Sequence, residues 1–381
     1  MQATGIVAEY NPFHNGHLHH VAQTKKITQQ PVIAVMSASF MQRGEPAILS
    51  KWRRAALAVQ GGVDLVLELP CAASLRSAQY FASCAMQLLA ATGCVNTLSC
   101  GVENPQKDFL ALARFAKSEA AQKQLKEELS AGHSYAKAWE NITGAADALN
   151  TPNDILALEY SKALLNTNIK PIYIKRKDAG YNSKKLATLA SATAIRLALA
   201  QGSSGWQQAV PEATRSALTD YIAGYDEKLL WQLICYRLRT LSATGIRQSS
   251  ECSEGLENVL KAAANAKSLD EALEKCTKKR YTKSRIRRLF MQLILGTNFP
   301  AITSTPSYLR LLAFNDTGRA LLKQMKKTAA LPIITKMPVE AKISPQLKLE
   351  ICTTDIWSML QNDAALNRAG NDYLHSPVYI K

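Results

Sequence analysis

The stretch Thr4-Gly5-Ile6-Val7-Ala8-Glu9-Tyr10-Asn11-Pro12-Phe13-His14-Asn15-Gly16-His17 decides the fold. Thr4 to Ala8 is a short apolar run of the kind that forms a buried strand. Glu9 to Asn15 reads as a loop, and Gly16 to about Thr28 as a helix. A strand feeding a loop and then a helix puts that loop at the carboxyl end of a sheet. Ligands of open parallel sheets sit there, facing free N–H groups and the positive end of the helix dipole. His14 and His17 are three apart, so they share a face of the first helical turn. Two imidazoles so placed can bind phosphate oxygens and offset charge at an attacked α-phosphate. Gly16 leaves room for a nucleotide close to the backbone. His19 and His20 follow, so four of the six histidines cluster here. A metal site would need a third ligand at a known spacing, and the segment offers none.

The pattern repeats outward. Pro31–Met36, Val63–Leu69, Val95–Cys100 and Pro171–Ile174 read as further strands. Lys51–Gln60 and Ala78–Ala91 read as helices between them. The alternation predicts an α/β fold: a Rossmann-like parallel sheet covered by helices on both faces. Near residue 200 the character changes. Gln201-Gly202-Ser203-Ser204-Gly205 is a candidate hinge. Beyond it lie helical patterns over Asp226–Leu241, Ser253–Ala266, Leu269–Cys276 and Ser284–Leu295. We therefore expect an ATP-binding domain over residues 1–200 and a mainly helical, basic domain over 201–381.

A second anion site is expected at Ser191-Ala192-Thr193-Ala194-Ile195-Arg196. Ser191 can cap a helix, and Thr193 and Arg196 share its first face. Together they could hold the outer phosphates of ATP or the leaving pyrophosphate. An ordinary capped helix with a solvated arginine would look the same by spacing alone.

Lys plus Arg number 46 against 30 for Asp plus Glu, a net charge of +16. A chain this basic points to a polyanionic partner. The charge is concentrated in Lys275–Arg288, where Lys275, Lys278, Lys279, Arg280, Lys283, Arg285, Arg287 and Arg288 make eight basic residues in fourteen with no acidic one. Tyr281 lies within that run, placed for stacking on a base. Lys51-Trp52-Arg53-Arg54 is a second basic cluster, and Arg43 could meet either ATP or RNA. No apolar run is long enough to span a bilayer, and the N-terminus lacks signal-peptide features. The eight cysteines form no Cys-x-x-Cys pair and read as buried hydrophobes in a reducing compartment. A cytoplasmic enzyme is expected. Oligomeric state is not legible.

The chain resembles the bacterial tRNA(Met) cytidine acetate ligases, relatives of other His-x-Gly-His nucleotidyltransferases. The resemblance runs through Gly5–His17, Gln42–Ala47, Lys51–Arg54, Val63–Pro70, Asn153–Tyr160, Ala192–Arg196, Ser307–Leu312 and Leu331–Thr335. Ala38-Ser39 and Cys100-Gly101-Val102-Glu103 depart from the family's usual residues. The resemblance implies an enzyme that makes acetyl-adenylate from ATP and acetate, then acetylates N4 of the wobble cytidine of elongator tRNA(Met). It implies ATP contacts at Val7, Ala8, Glu9, Tyr10, Asn11, Pro12, Phe13, His14, Asn15, Gly16, His17, Leu18, His19 and His20, and at Gly101, Asn153 and Arg176. Mg²⁺ would come bound to the ATP phosphates and water, without a protein cage. The RNA would be gripped by Lys51, Arg53, Arg54, Lys278, Lys279, Arg280, Lys283, Arg285, Arg287 and Arg288. Two other readings stay open on the residues alone: an adenylyltransferase acting on a small phosphorylated metabolite, and a non-catalytic RNA-binding protein.

Overall fold

The computed structural model describes residues 1–133, 135–144, 149, 151–176, 189–219, 221, 224–249, 251–252, 255–278, 281–296, 304–338 and 343–381. Lys279 and Arg280, both expected at RNA, lie outside these residues.

Apolar runs set the sheet. β1 (Ala3–Ala8), β2 (Val32–Ser37) and β3 (Leu65–Leu69) are almost wholly buried, as strands covered on both faces must be. β4 (Val95–Val102) and β5 (Lys170–Lys175) extend the sheet on the far side of β1. The order is β5-β4-β1-β2-β3, and each neighbouring pair is parallel. Chain order therefore reverses at β1, which leaves a crevice beyond the carboxyl ends of β1 and β4. The expected α/β class and the five expected strands are present, with boundaries shifted by one or two residues.

The sheet does not stop with the first half of the chain. β6 (Leu309–Phe314) pairs antiparallel with β3, and β7 (Ile333–Ile334) and β8 (Val378–Tyr379) both pair with β6. Among the described residues the strands form one eight-stranded sheet. The expected helical character holds for the middle of the second half, which then returns to the sheet. Leu309-Arg310-Leu311-Leu312-Ala313-Phe314 is apolar enough to fill the place beside β3.

Two cores flank the sheet. One gathers the helices Ala78–Ala91 and Pro152–Leu164, and the other gathers Lys51–Gln60 and Ala192–Ala200. A third core holds the helices Glu227–Thr240, Leu269–Cys276, Lys283–Leu295 and Pro345–Met359. It also takes in Phe40, Met41, Ala47, Cys71 and Leu75. The helical part is thus seated on the segments that leave β2 and β3.

A buried ionic cluster ties the C-terminal segment to this frame, and it corrects one expectation. Lys51 is fully buried, with Nζ 2.7 Å from Glu68 and 2.8 Å from Asp372. Arg310 on β6 meets the same two carboxylates, at 3.5 and 2.6 Å. Lys51 cannot reach an RNA backbone, and removing it would strand buried carboxylates. Arg54 is also wholly buried. Its guanidinium donates to the carbonyls of Glu9 (2.7 Å), Ser37 (2.9 Å), Leu49 (3.1 Å) and Ala38. It is an internal strut joining the loop after β1 to the end of β2, and it is not an RNA ligand either. Arg53, on the opposite helix face, is exposed.

Candidate active site

The loop after β1 is shaped by its own side chains. Tyr10 holds a left-handed backbone, φ 47°, and the Asn11–Pro12 bond is cis. The buried Tyr10 ring packs edge-on against Phe13 (5.0 Å) and His17 (4.9 Å). The left-handed backbone of Tyr10 persists only where packing over-determines it. The first helix, Asn15–Thr28, then starts from an unusual cap. His14 Nδ1 accepts from Gly16 N at 3.0 Å, and His17 Nδ1 accepts from His14 N at 3.3 Å. The two rings stack at 3.7 Å. A Cβ at position 16 would stand 2.8 Å from the His14 ring, so the glycine is required by the cap itself.

This cap fixes the chemistry of the pair. Both Nδ1 atoms accept from backbone N–H groups, so each neutral ring carries its proton on Nε2. Burial pushes His14 down to about 3, with Arg176 and Arg196 adding to the effect. His17 is also held well below its ordinary range, by burial and then by His14. Two neutral Nε2–H donors therefore serve a cavity at the β1/β4 crevice. His20, lowered to about 4 by burial, reaches Ser99 at 2.9 Å. Ser99 is in turn 2.7 Å from Thr24, whose hydroxyl donates to His20 O. That chain locks the ring of His20 against β4.

The cavity is about 270 Å³. Its wall carries Val7, Ala8, Glu9, Tyr10, Asn11, His14, Gly16, His17, His19 and His20 from the first strand, loop and helix. Gly101, Asn153, Arg176, Ser191, Thr193 and Arg196 close it from the other elements. The residues expected at the second anion site are thus brought to the first. Ser191 caps the Ala192–Ala200 helix by accepting from Ala194 N at 3.2 Å. Arg196 Nη1 donates to Asn11 O at 2.9 Å. Four expected residues are not on the wall. Phe13 is buried beneath Gly61, Asn15 donates to Gln208 O, Leu18 faces outward, and Pro12 is absent from the lining. Phe81, Cys100, Leu156 and Tyr160 supply an apolar side, which suits a flat base.

Sequence reasoning missed the carboxylates that set the arginines. Glu103 lies 3.6 Å from Arg176 Nε and accepts from Asn153 Nδ2 at 3.2 Å. Glu45 accepts from Arg196 Nη2 at 3.0 Å. Each sits beside a strand end or a tight turn, in Cys100-Gly101-Val102-Glu103 and in Arg43-Gly44-Glu45-Pro46, and that placement was the available signal. Among the described residues, no group of three or more His, Cys, Asp or Glu side chains could hold a metal ion.

The basic run is less open than its composition implies. Arg288 is buried and pairs with Glu251 at 3.1 Å, and Arg285 donates to Glu251 O at 2.8 Å. Arg287 pairs with Glu45 at 2.5 Å. Tyr281 is only 7% exposed, so its ring is not free to stack on a base. Lys278 and Lys283 are exposed. Arg288 is corrected to a structural residue, because its guanidinium neutralises a carboxylate between two segments.

Comparison with known proteins identifies the group. The HIGH Nucleotidyl Transferase family model matches residues 1–372. A tRNA(Met) cytidine acetate ligase of Leuconostoc mesenteroides is 38% identical, covering 100% of this chain and 99% of its own. The chain belongs to the tRNA(Met) cytidine acetate ligase family. A second member, from Acetivibrio thermocellus, is 34% identical with full coverage of both chains. The apo crystal structure of Thermotoga maritima TmcAL superposes over all of both chains with a TM-score of 0.91 at 31% identity. The same protein bound with alpha-thio ATP gives 0.88.

Proposed function

We propose that this protein activates acetate with ATP and transfers the acetyl group to N4 of the wobble cytidine of elongator tRNA(Met). The observation that carries the chemistry is the stacked His14–His17 pair, two neutral Nε2–H donors at the switch-point crevice beside Arg176 and Arg196. In the first step an acetate oxygen attacks the α-phosphorus, the bond to the bridging oxygen breaks, and pyrophosphate leaves. The histidine donors and the arginines oppose the charge that accumulates on the phosphates. Neutral imidazoles suit this role, since they donate without having to give up a proton. In the second step the cytidine N4 attacks the acyl carbon, AMP departs, and N4 loses a proton. No side chain on the cavity wall is assigned as a base for that loss, and placement of the amine carries the step.

Mg²⁺ would shield the polyphosphate. The nearby carboxylates fit binding through ATP oxygens and water better than direct ligation. Glu9 already accepts from Gln42 N, and Glu45 already pairs with two arginines. Residues 1–200 are proposed to handle ATP and acetate and 201–381 to contribute most of the RNA grip, with β6, β7 and β8 of that half completing the sheet and Arg53 of the first half adding to the grip. Of the expected members, the exposed Lys278, Lys283 and Arg53 and the partly exposed Arg287 are proposed to meet RNA phosphates. No helix among the described residues is long and apolar enough to cross a membrane, and a cytoplasmic site of action accords with a tRNA substrate.

Exchange of labelled pyrophosphate into ATP tests the first step. Exchange should require acetate. Exchange without acetate, or AMP transfer to a phosphorylated metabolite, would favour the plain adenylyltransferase reading.

A further inference from the structure

The turn Met41–Glu45 is wedged between two cationic sites. It is closed by Met41 N to Glu45 O (2.8 Å) and Gly44 N to Met41 O (2.9 Å). Gly44 has φ 77°, and a Cβ there would stand 2.6 Å from Arg288 N and 2.7 Å from the Arg287 carbonyl carbon. The turn therefore lies directly on the backbone of the basic helix. Its other side reaches the cavity, where Gln42 N donates to Glu9 Oε1 at 2.6 Å. At its end the Glu45 carboxylate is divided. Oε2 takes Arg196 Nη2 at 3.0 Å and Oε1 takes Arg287 Nη1 at 2.5 Å. Arg196 belongs to the nucleotide cavity, and Arg287 to the basic helix. The three side chains are 21–24% exposed, so solvent-borne anions can reach either guanidinium.

We propose that Glu45 is the shared counter-ion of two anion sites, so that ATP polyphosphate at Arg196 and an RNA phosphate at Arg287 oppose each other until pyrophosphate has left. The inference rests on the ATP and tRNA reading above. One carboxylate serves two guanidinium groups. A polyphosphate that draws Arg196 away leaves Arg287 as the remaining guanidinium hydrogen-bonded to Glu45, with Arg43 also nearby, and an RNA phosphate must then break a stronger ion pair. Once the adenylate has formed and pyrophosphate has gone, Arg196 returns to Glu45 and Arg287 is released to the RNA. Linkage makes the effect reciprocal, so bound RNA weakens polyphosphate binding by the same factor. The device orders the reaction: activation comes first and RNA engagement second. Coupling between sites is commonly about 5–150-fold, and solvent screening of a partly exposed pair places this one near the lower end, about 5-fold.

The test is a tRNA titration of the full chain, followed by fluorescence anisotropy. Each titration is run with saturating α,β-methylene-ATP, which cannot release pyrophosphate, and again with AMP. The parent should bind tRNA(Met) about 5-fold more weakly with the ATP analogue than with AMP. Glu45→Gln keeps the shape and removes the charge, and it should abolish the difference. Arg287→Gln leaves the Glu45–Arg196 pair in place and should abolish it too, which preserves the test if the first variant folds poorly. Equal affinities in the parent would overturn the proposal. So would a difference that survives in both variants, since it would then reflect general repulsion between two polyanions. A parent that binds no tRNA would sink the functional reading itself, and this inference with it.

Discussion

Replacing His17 with alanine should remove three things at once, and the structure gives a scale for each. The first is one Nε2–H donor to the phosphates. Losing a single donor to developing charge costs about 10²–10³ in rate, roughly 3–4 kcal/mol. The second is the Nδ1 acceptor for His14 N, at 3.3 Å. A neutral bond of this kind contributes about 1 kcal/mol to stability, so the helix start should fray and thermal stability fall modestly. The third is the ring that stacks on His14 at 3.7 Å and keeps its Nε2 aimed. Because each histidine positions the other, the double variant His14→Ala/His17→Ala should lose less than the sum of the two single losses. The assay is acetate-dependent pyrophosphate exchange, with denaturation run in parallel to separate catalysis from folding. A His17→Ala protein that folds and exchanges within a few-fold of the parent would refute the reasoning. Strict additivity in the double variant would refute the mutual positioning.

Other consequences can be checked on their own. The imidazole of His20 is lowered to about 4, so between pH 6.5 and 5 the unfolded chain binds a proton that the folded chain refuses. Stability should therefore fall as pH drops through that window, by about 2 kcal/mol for this group, at about 1.4 kcal/mol per pH unit. Urea denaturation should show a smaller acid loss for His20→Gln, and equal losses in variant and parent would contradict the assignment. Lys51→Met should cost about 3–5 kcal/mol, since it leaves Glu68 and Asp372 short of a cation, whereas Arg53→Met should cost almost nothing. A stable Lys51→Met protein with impaired tRNA binding would reverse that correction. Charge reversal at Lys278 and Lys283 should flatten the salt dependence of tRNA binding yet spare pyrophosphate exchange. An unchanged salt slope would show these lysines to be merely solvated.

The strand–loop–helix opening was readable because its pattern is local. An apolar run of strand length, a loop and two histidines at helical spacing fix both the sheet position and the shared face. What sequence could not supply was depth. Lys51, Arg53 and Arg54 are adjacent, but two point into the protein and one points out, and only tertiary packing decides which. The same holds for Lys275–Arg288, where Arg288 turns inward to Glu251 while Lys283, five residues earlier, lies at the surface, 3.4 Å from the exposed Asp270. Gly16 does line the cavity, as its reading as space for a ligand expects, and the fold adds a second constraint that sequence does not show, the His14 ring folded back over it as a cap. β6 was missed because it follows a long helical stretch and joins the sheet antiparallel, outside the alternation that revealed the other strands. Glu45 and Glu103 lie in stretches quoted for the family resemblance, but their arginine partners Arg196, Arg287 and Arg176 are far off in sequence and only the fold brings them together.

The proposed reaction moves an acetyl group from acetate to a tRNA base at the expense of ATP. Its most direct test is mass spectrometry of nucleosides from elongator tRNA(Met) after incubation with the protein, ATP and isotopically labelled acetate. Labelled N4-acetylcytidine is expected at the wobble position, dependent on both ATP and acetate and lost with His14→Ala. Unmodified cytidine after incubation with protein that binds ATP and tRNA, or an acetyl group that carries no label, would contradict it.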